Sequence, residues 1–223
     1  MASWMVHLRI ADTLLDKIPD LCPTQFVVGS IAPDSGVPNE NWTAFYPSTR
    51  VSHFKTADKK ANPDAFAAKY FRPEQQASYN MEQFSFYLGY LTHLLTDVLW
   101  SERIVHPSLD RFGMTDSPNR EEFIWQLKQD WYDLDFKYLR DHPGFRAFDI
   151  YNRAEGFCNR CMEEFSEDAF ENRRQYITAF YLQGRDGLDR NYPYLTEAEM
   201  DAFVRSSCWE ILDMLHTKYC PNL

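Results

Sequence analysis

The stretch FYLGYLTHLLTDVLW, Phe86 to Trp100, sets His93 and Asp97 four residues apart. On a helix, at about 100° of rotation per residue, the two share a face. Phe84, Tyr87, Leu88, Leu91, Leu94, Leu95 and Val98 share another, and the His93–Asp97 side carries Phe86, Gly89, Tyr90 and Trp100 where a surface helix would carry Lys and Glu. A helix that is apolar nearly all round is a buried helix. The imidazole and the carboxylate therefore point into the interior. An unpaired carboxylate there is costly and needs a partner or a metal ion. Gly89, one turn before His93, costs about 1 kcal/mol in mid-helix against alanine, which signals close approach of something beside the imidazole.

His7 repeats the pattern, on a face with Trp4, Ala11, Leu14 and Ile18. So does Asp130, with Phe123, Leu127, Leu134 and Tyr138, while Asp133 falls toward the polar side. Three helices thus each aim an ionisable group inward. Taken singly, these have plain roles: a satisfied core histidine, an aspartate anchoring a Tyr or Trp, a helical i,i+4 pair. Together they match the way bundles build metal sites, from His and Asp or Glu on inward faces. The segment after the first helix adds Asp34 in GSIAPDSG and His53 in TRVSHF. On spacing alone, a metal site and a buried hydrogen-bonded network both stand.

Helical periodicity supplies the elements that must position these groups. A first helix covers about Ser3 to Lys17, with Pro19 just past its end. From Pro19 to about Asn62 the chain is rich in Pro, Gly, Asn and Ser, too long for an idle connection, and such loops usually carry function. Asn62 and Pro63 open a short helix in NPDAFAAKYF. Further helices are expected over about Asn80–Val105, from SPNREEF to before Pro143, and over about Ala147–Phe165, Glu167–Gln183 and Thr196–Lys218. Thr196 and Glu199 form a capping box for the last. No strand pattern of useful length occurs. The fold class is all-α: a single-domain helical bundle, residues 1–223, with a long functional loop after the first helix.

Composition narrows the function. Of 223 residues, 44% are hydrophobic and 16% aromatic, enough for a sizeable core. The net charge of −10, with no basic cluster, disfavours nucleic-acid coating and charge-driven binding to anionic membranes. No stretch approaches the roughly 20 apolar residues of a transmembrane segment. The start, MASWMVHLRIADTLLDK, is amphipathic and lacks the pattern of a signal peptide, so a cytoplasmic location is expected, and the NWT sequon at Asn41 then has no meaning. Five cysteines, an odd number, fit a reduced compartment. Cys158 and Cys161 form a lone C-x-x-C, at helical spacing with Tyr151, Ala154 and Phe165, and read as core cysteines.

In order, GSIAPDSG, STRVSHF and FYLGYLTHLLTDVLW resemble the zinc-dependent phospholipase C family, itself similar to the P1-type nucleases; the likeness covers about Trp4 to Trp100. It implies an all-helical fold with a cluster of up to three zinc ions. The family's first site takes an Asp from the loop, a following His, and the pair of an H-x-x-x-D helix, which fall on Asp34, His53, His93 and Asp97. Its first-helix histidine falls on His7, beside a neighbouring metal. Two departures stand out. Family members that begin at the Trp use its free amine as a ligand, whereas Met1, Ala2 and Ser3 precede Trp4 here. A downstream H-x-x-x-E is missing: Tyr151 and Glu155 have the spacing but not the histidine. His106, before Pro107, reads as a loop position, and His142 and His216 as structural. One or two metals are therefore expected, with Asp130 a candidate ligand of the second.

Two His and two carboxylates suit Zn²⁺, and also Fe, Mn or Ni. Such a metal yields a nucleophilic water at neutral pH, and Asp34 can ligate and also take the water's proton. The expectation is a metal-dependent hydrolase of a small-molecule or lipid phosphoester, phospholipase C-like in its chemistry. The alternatives are an HD-type phosphohydrolase, although no HD dipeptide occurs, and a non-catalytic helical binding protein with a buried polar network.

Overall fold

The structure is a computed structural model that describes residues 1–41, 43–56, 60–221 and 223. Trp42 of the NWT sequon and residues 57–59 of the long segment lie outside these. The chain is mostly helical. It opens with α1 (Trp4–Leu15) and α2 (Pro23–Gly29), a 3₁₀ turn at Ala32–Asp34, a small antiparallel pair β1 (Val37–Pro38) and β2 (Phe45–Tyr46), and α3 (Thr49–Ser52). The expected loop after α1 is thus partly helical. In α2 the residues Phe26, Val27, Val28 and Gly29 are all buried. A helix of about two turns is too short to display a 3.6-residue period, and flanking Pro and Gly hide it further.

The next helices are α4 (Pro63–Tyr70), α5 (Pro73–Ser78) and α6 (Met81–Trp100). Asn62 caps α4, its side chain accepting from Ala65 N at 3.0 Å, and Asn80 with Gln83 forms a capping box on α6. Helix α6 does not stop at Trp100. A π-turn over Ser101–Val105 carries it into α7 (His106–Arg111). His106 is therefore helical rather than in a loop. Pro107 sits in the first turn of α7, where its missing N–H is least costly.

The chain closes with α8 (Arg120–Asp141), α9 (Arg146–Arg153), α10 (Ala169–Leu182) and α11 (Glu197–Met214), the last running into a π-turn at Leu215–Tyr219. The Thr196–Glu199 capping box is present. Helix α9 ends well before Phe165, and Gly156 just beyond it adopts a φ of +72°. Asn159 then folds the irregular segment around itself, accepting from Cys161 N and Met162 N and donating to Met162 O and Phe165 O. Cys158 is consequently exposed and Cys161 half-buried, so neither is the core cysteine that a continuous helix would have made it.

Helix α6 is the axis of the core. Trp100 meets Trp131 of α8 and Phe203 of α11 edge-on, and Tyr90 stacks on Phe66 of α4 at 4.7 Å. Helix α2 crosses α6 at unusually short range. A Cβ at Gly29 would collide with the backbone of Phe86, and one at Gly89 would collide with Phe26 O and lie 2.9 Å from Ser30 N. The close neighbour signalled by Gly89 is thus the backbone of α2, and it brings Ser30 up to His93.

Candidate metal centre

Asp34 ends the 3₁₀ turn, His53 caps α3, His93 and Asp97 lie on α6, and His7 lies on α1. All but Asp34 are buried, and Asp34 is half-buried. His53 Nε2 is 3.3 Å from His93 Nε2, 3.4 Å from Asp34 Oδ1 and 3.4 Å from Asp97 Oδ2, and His93 Nε2 is 3.8 Å from Asp97 Oδ2. Ligand atoms at the corners of a tetrahedron with bonds of about 2.0–2.1 Å stand about 3.3–3.4 Å apart. The four pairs measured here, three of them from His53 Nε2, have nearly that spacing.

Hydrogen bonds orient the donors. A carbonyl only accepts, so Ser30 O takes the Nδ1–H of His93 at 2.8 Å and leaves the Nε2 lone pair facing the cluster. Ser52 Oγ contacts His53 Nδ1 at 2.9 Å, and Trp4 Nε1 donates to Asp34 Oδ2 at 3.0 Å, leaving Oδ1 for His53. Burial, reinforced by His7, pushes His93 down to about 3, so it is neutral at pH 7. Burial works to raise Asp34, but its bond to His53 and the nearby His93 hold it well below the usual carboxylate range. Burial also opposes ionisation of Asp97, and the amino terminus, His7 and His93 overcome it. Two ionised carboxylates and a neutral imidazole facing one point form a donor set that calls for a cation.

A second grouping shares Asp97. His7 stacks on His93 at 3.7 Å, and its Nε2 lies 3.5 Å from Asp97 Oδ1. Both ring nitrogens of His7 and Oδ2 of Asp97 are buried without a hydrogen-bond partner. Such orphaned atoms are expected of ligands. His7, His93 and Asp97 form one metal-competent trio, and Asp34, His53 and His93 another. Two residues before Trp4, the backbone N–H of Ala2 donates to Asp97 Oδ1 at 2.8 Å.

Asp130 belongs elsewhere, which corrects the expectation that it serves a second metal. Its Oδ2 accepts from Tyr194 N and Leu195 N, and its Oδ1 pairs with Arg190 at 2.8 Å. Asp130 therefore anchors the segment before α11, and Asp133 binds Arg185 and Arg190 beside it. Replacing Asp130 by Ala should cost about 2–3 kcal/mol through the buried donors left behind, with zinc content unchanged. Urea denaturation with metal analysis checks both halves.

His106 is exposed but lines a cavity that also reaches Asp97. His142 stacks on Tyr138 at a helix end, His216 is exposed, and Glu155 is exposed while Tyr151 is buried.

Three groups escaped the sequence reading. Asp135, fully buried on α8, accepts from Ser3 Oγ and Tyr181 OH, each at 2.7 Å, and so fixes the segment that carries Ala2 and Trp4. Burial outweighs both hydrogen bonds and pushes its carboxyl up to about 7. The other two, Lys128 and Arg173, line a cavity of about 440 Å³ beside Asp34, walled by Trp4, Trp131 and Tyr132. Arg173 shares an inward α10 face with Ala169 and Ile177 at i±4, the same signal that singled out His93.

The folded-state rise of Asp135 has a pH consequence. Its native form holds its proton up to about pH 7, whereas in the unfolded chain it ionises near about pH 3.9. Its contribution to stability is therefore fully present below that unfolded value and is lost as the pH climbs toward 7, by about 4 kcal/mol in all. Asp135→Asn should gain on the wild type by that order between pH 4 and pH 8. Equal pH dependence of the two proteins in urea melts would refute it.

A family model described as zinc dependent phospholipase C matches residues 6–217. Comparison with curated proteins and with solved structures returned no match. The family match extends well past Trp100, where the sequence motifs end, and takes in α8, α10 and α11. Among the described residues, no helix is long and apolar enough to cross a membrane.

Proposed function

The chain belongs to the zinc-dependent phospholipase C family, a phospholipase-like metal hydrolase with Zn²⁺ as cofactor, and on that basis we propose that it cleaves phosphodiesters of lipids or small molecules at the Asp34–His53–His93–Asp97 cluster. The observation that carries this reading is the convergence of four donor atoms, 3.3–3.8 Å apart across the measured pairs, beside a cavity large enough for a small ligand.

Zn²⁺ in this cluster would polarise a phosphoryl oxygen and lower the pKa of a water to about 7. The protein's own groups do the rest. Asp34 is the cluster member that lines the large cavity. Trp4 holds its Oδ2 while Oδ1 faces His53, so it is placed to take the proton of an attacking water at the cavity edge. Ser30 O fixes the tautomer of His93. Asp97 turns Oδ2 to His53 and His93, and Oδ1 to His7. It is the residue that two ions would share, and His7 the one that would serve the second.

Metal analysis of freshly purified protein, together with hydrolysis of bis(p-nitrophenyl) phosphate, tests the proposal. Zinc at one or two equivalents with turnover that a chelator abolishes is the expected result. Protein that neither retains zinc nor hydrolyses the ester after zinc is added would overturn it.

A further inference from the structure

The cavity beside Asp34 is unusual in its charges. Arg173 is 6% exposed, and its Nη2 donates to Gly36 O at 2.6 Å. Among the described residues no carboxylate lies within ion-pair distance of Arg173, nor of half-buried Lys128, although both line the cavity. A guanidinium buried without a counter-ion is costly unless a ligand supplies the anion. Asp34 is the one acidic residue among those lining the space; it attracts Lys128 only from beyond ion-pair distance, and its oxygens face Trp4 and His53.

The aromatic walls point the same way. Aromatic faces are how proteins hold quaternary ammonium groups. Three of the lining rings already face the chain's own cations: Arg173 lies 5.9 Å from the ring centre of Trp4 and 5.5 Å from that of Tyr176, and Lys128 lies 4.3 Å from that of Trp125. A cationic head group entering this space would find those faces occupied and would meet charges of its own sign.

We propose that this cavity selects phosphoesters that carry a second anionic group and rejects those with a quaternary ammonium head, with Arg173 and Lys128 as the residues that bind the additional anion. The inference deepens the proposed hydrolase function and rests on it for the location of the scissile phosphate, but its test is a binding measurement that needs no turnover.

Zinc-loaded full-length protein is titrated calorimetrically with 3-phosphoglycerate, a phosphate with a carboxylate, and with phosphocholine, a phosphate with a quaternary ammonium. The phosphate–carboxylate probe should bind at least about tenfold more tightly, the scale of one charge-assisted hydrogen bond. Arg173→Gln and Lys128→Gln should each weaken it by about tenfold, while leaving phosphocholine weak. Lys128→Glu, at a half-buried position that spares the core, should narrow or invert the preference. Equal or tighter binding of phosphocholine, absence of binding by either probe, or unchanged affinities in the two lysine variants would overturn the proposal. Hydrolysis of bis(p-nitrophenyl) phosphate by the same preparation scores the hydrolase reading separately: turnover with the wrong binding order defeats only the selectivity, and the right order without turnover defeats only the chemistry.

Discussion

Asp97→Asn should abolish zinc retention and lower phosphodiester hydrolysis by about 10³-fold or more, since a bound metal supplies several kcal/mol of transition-state stabilisation. The side chain is the junction of the site. Its Oδ2 is 3.4 Å from His53 Nε2 and 3.8 Å from His93 Nε2, while its Oδ1 is 3.5 Å from His7 Nε2 and accepts from Ala2 N at 2.8 Å. An amide keeps the shape and can still accept from Ala2, so the fold should survive. It removes the charge that balances a divalent cation and leaves only one carbonyl oxygen where two carboxylate oxygens face two groups. Metal content per chain and the rate on bis(p-nitrophenyl) phosphate, measured on folded protein, decide the matter. A variant with full zinc and near-normal turnover would remove Asp97 from the centre. His7→Ala gives a graded comparison, because His7 turns its Nε2 to Asp97 Oδ1 and otherwise stacks on the ring of His93: it should cost less than Asp97→Asn and lower the zinc content only where a second ion is bound.

The second large effect is expected at Gly89. Alanine is favoured over glycine in mid-helix by about 1 kcal/mol, so an exposed Gly→Ala change would stabilise the helix. Here the sign reverses. The added Cβ would strike Phe26 O and lie 2.9 Å from Ser30 N, both backbone atoms of the closely packed crossing. Backbone cannot swing aside as a flexible side chain can, and forced overpacking costs about 1–3 kcal/mol or more. Gly89→Ala should therefore destabilise the protein by a net of about 2 kcal/mol, and Gly29→Ala, against the backbone of Phe86, by a similar amount. The Gly89 change should also reach the metal centre. Pushing α2 away moves Ser30 O off His93 Nδ1, now 2.8 Å apart, and loss of such an outer partner typically costs about 10–100-fold in metal affinity. Urea melts and zinc titration of the two variants separate these effects: both should be destabilised, and Gly89→Ala should bind zinc more weakly. A Gly89→Ala protein as stable as the wild type would mean that the crossing is looser than the structure has it.

Much of this was legible in the residues. The all-α class followed from helical periodicity, and the caps at Asn62 and Thr196 follow from side chains that satisfy helix-end amides locally. His7, His93 and Asp97 could be picked out because each interrupts an apolar face, where a polar group needs a reason. The motif order from Asp34 to Asp97 carried the family likeness. These signals are local, or periodic along one element, and a sequence displays both directly.

Other features depended on what packs against what. Asp130 and Asp135 lie five residues apart on α8, and both are buried. Asp130 is consumed by Tyr194 N, Leu195 N and Arg190, while Asp135 holds Ser3 and Tyr181. Periodicity places both aspartates on a helix but says nothing of their partners, which come from elements more than 40 residues away along the chain. The same holds for α2, for the helical His106 and for the early end of α9, where short or interrupted elements carry too few turns to show a period. The cavity charges of Lys128 and Arg173 likewise emerge only when α8 and α10 meet beside the Asp34 turn. The sequence determined which residues had to be explained. Tertiary structure decided which of them share a site, because coordination and charge pairing depend on distances of 3–4 Å that no spacing along one chain can fix.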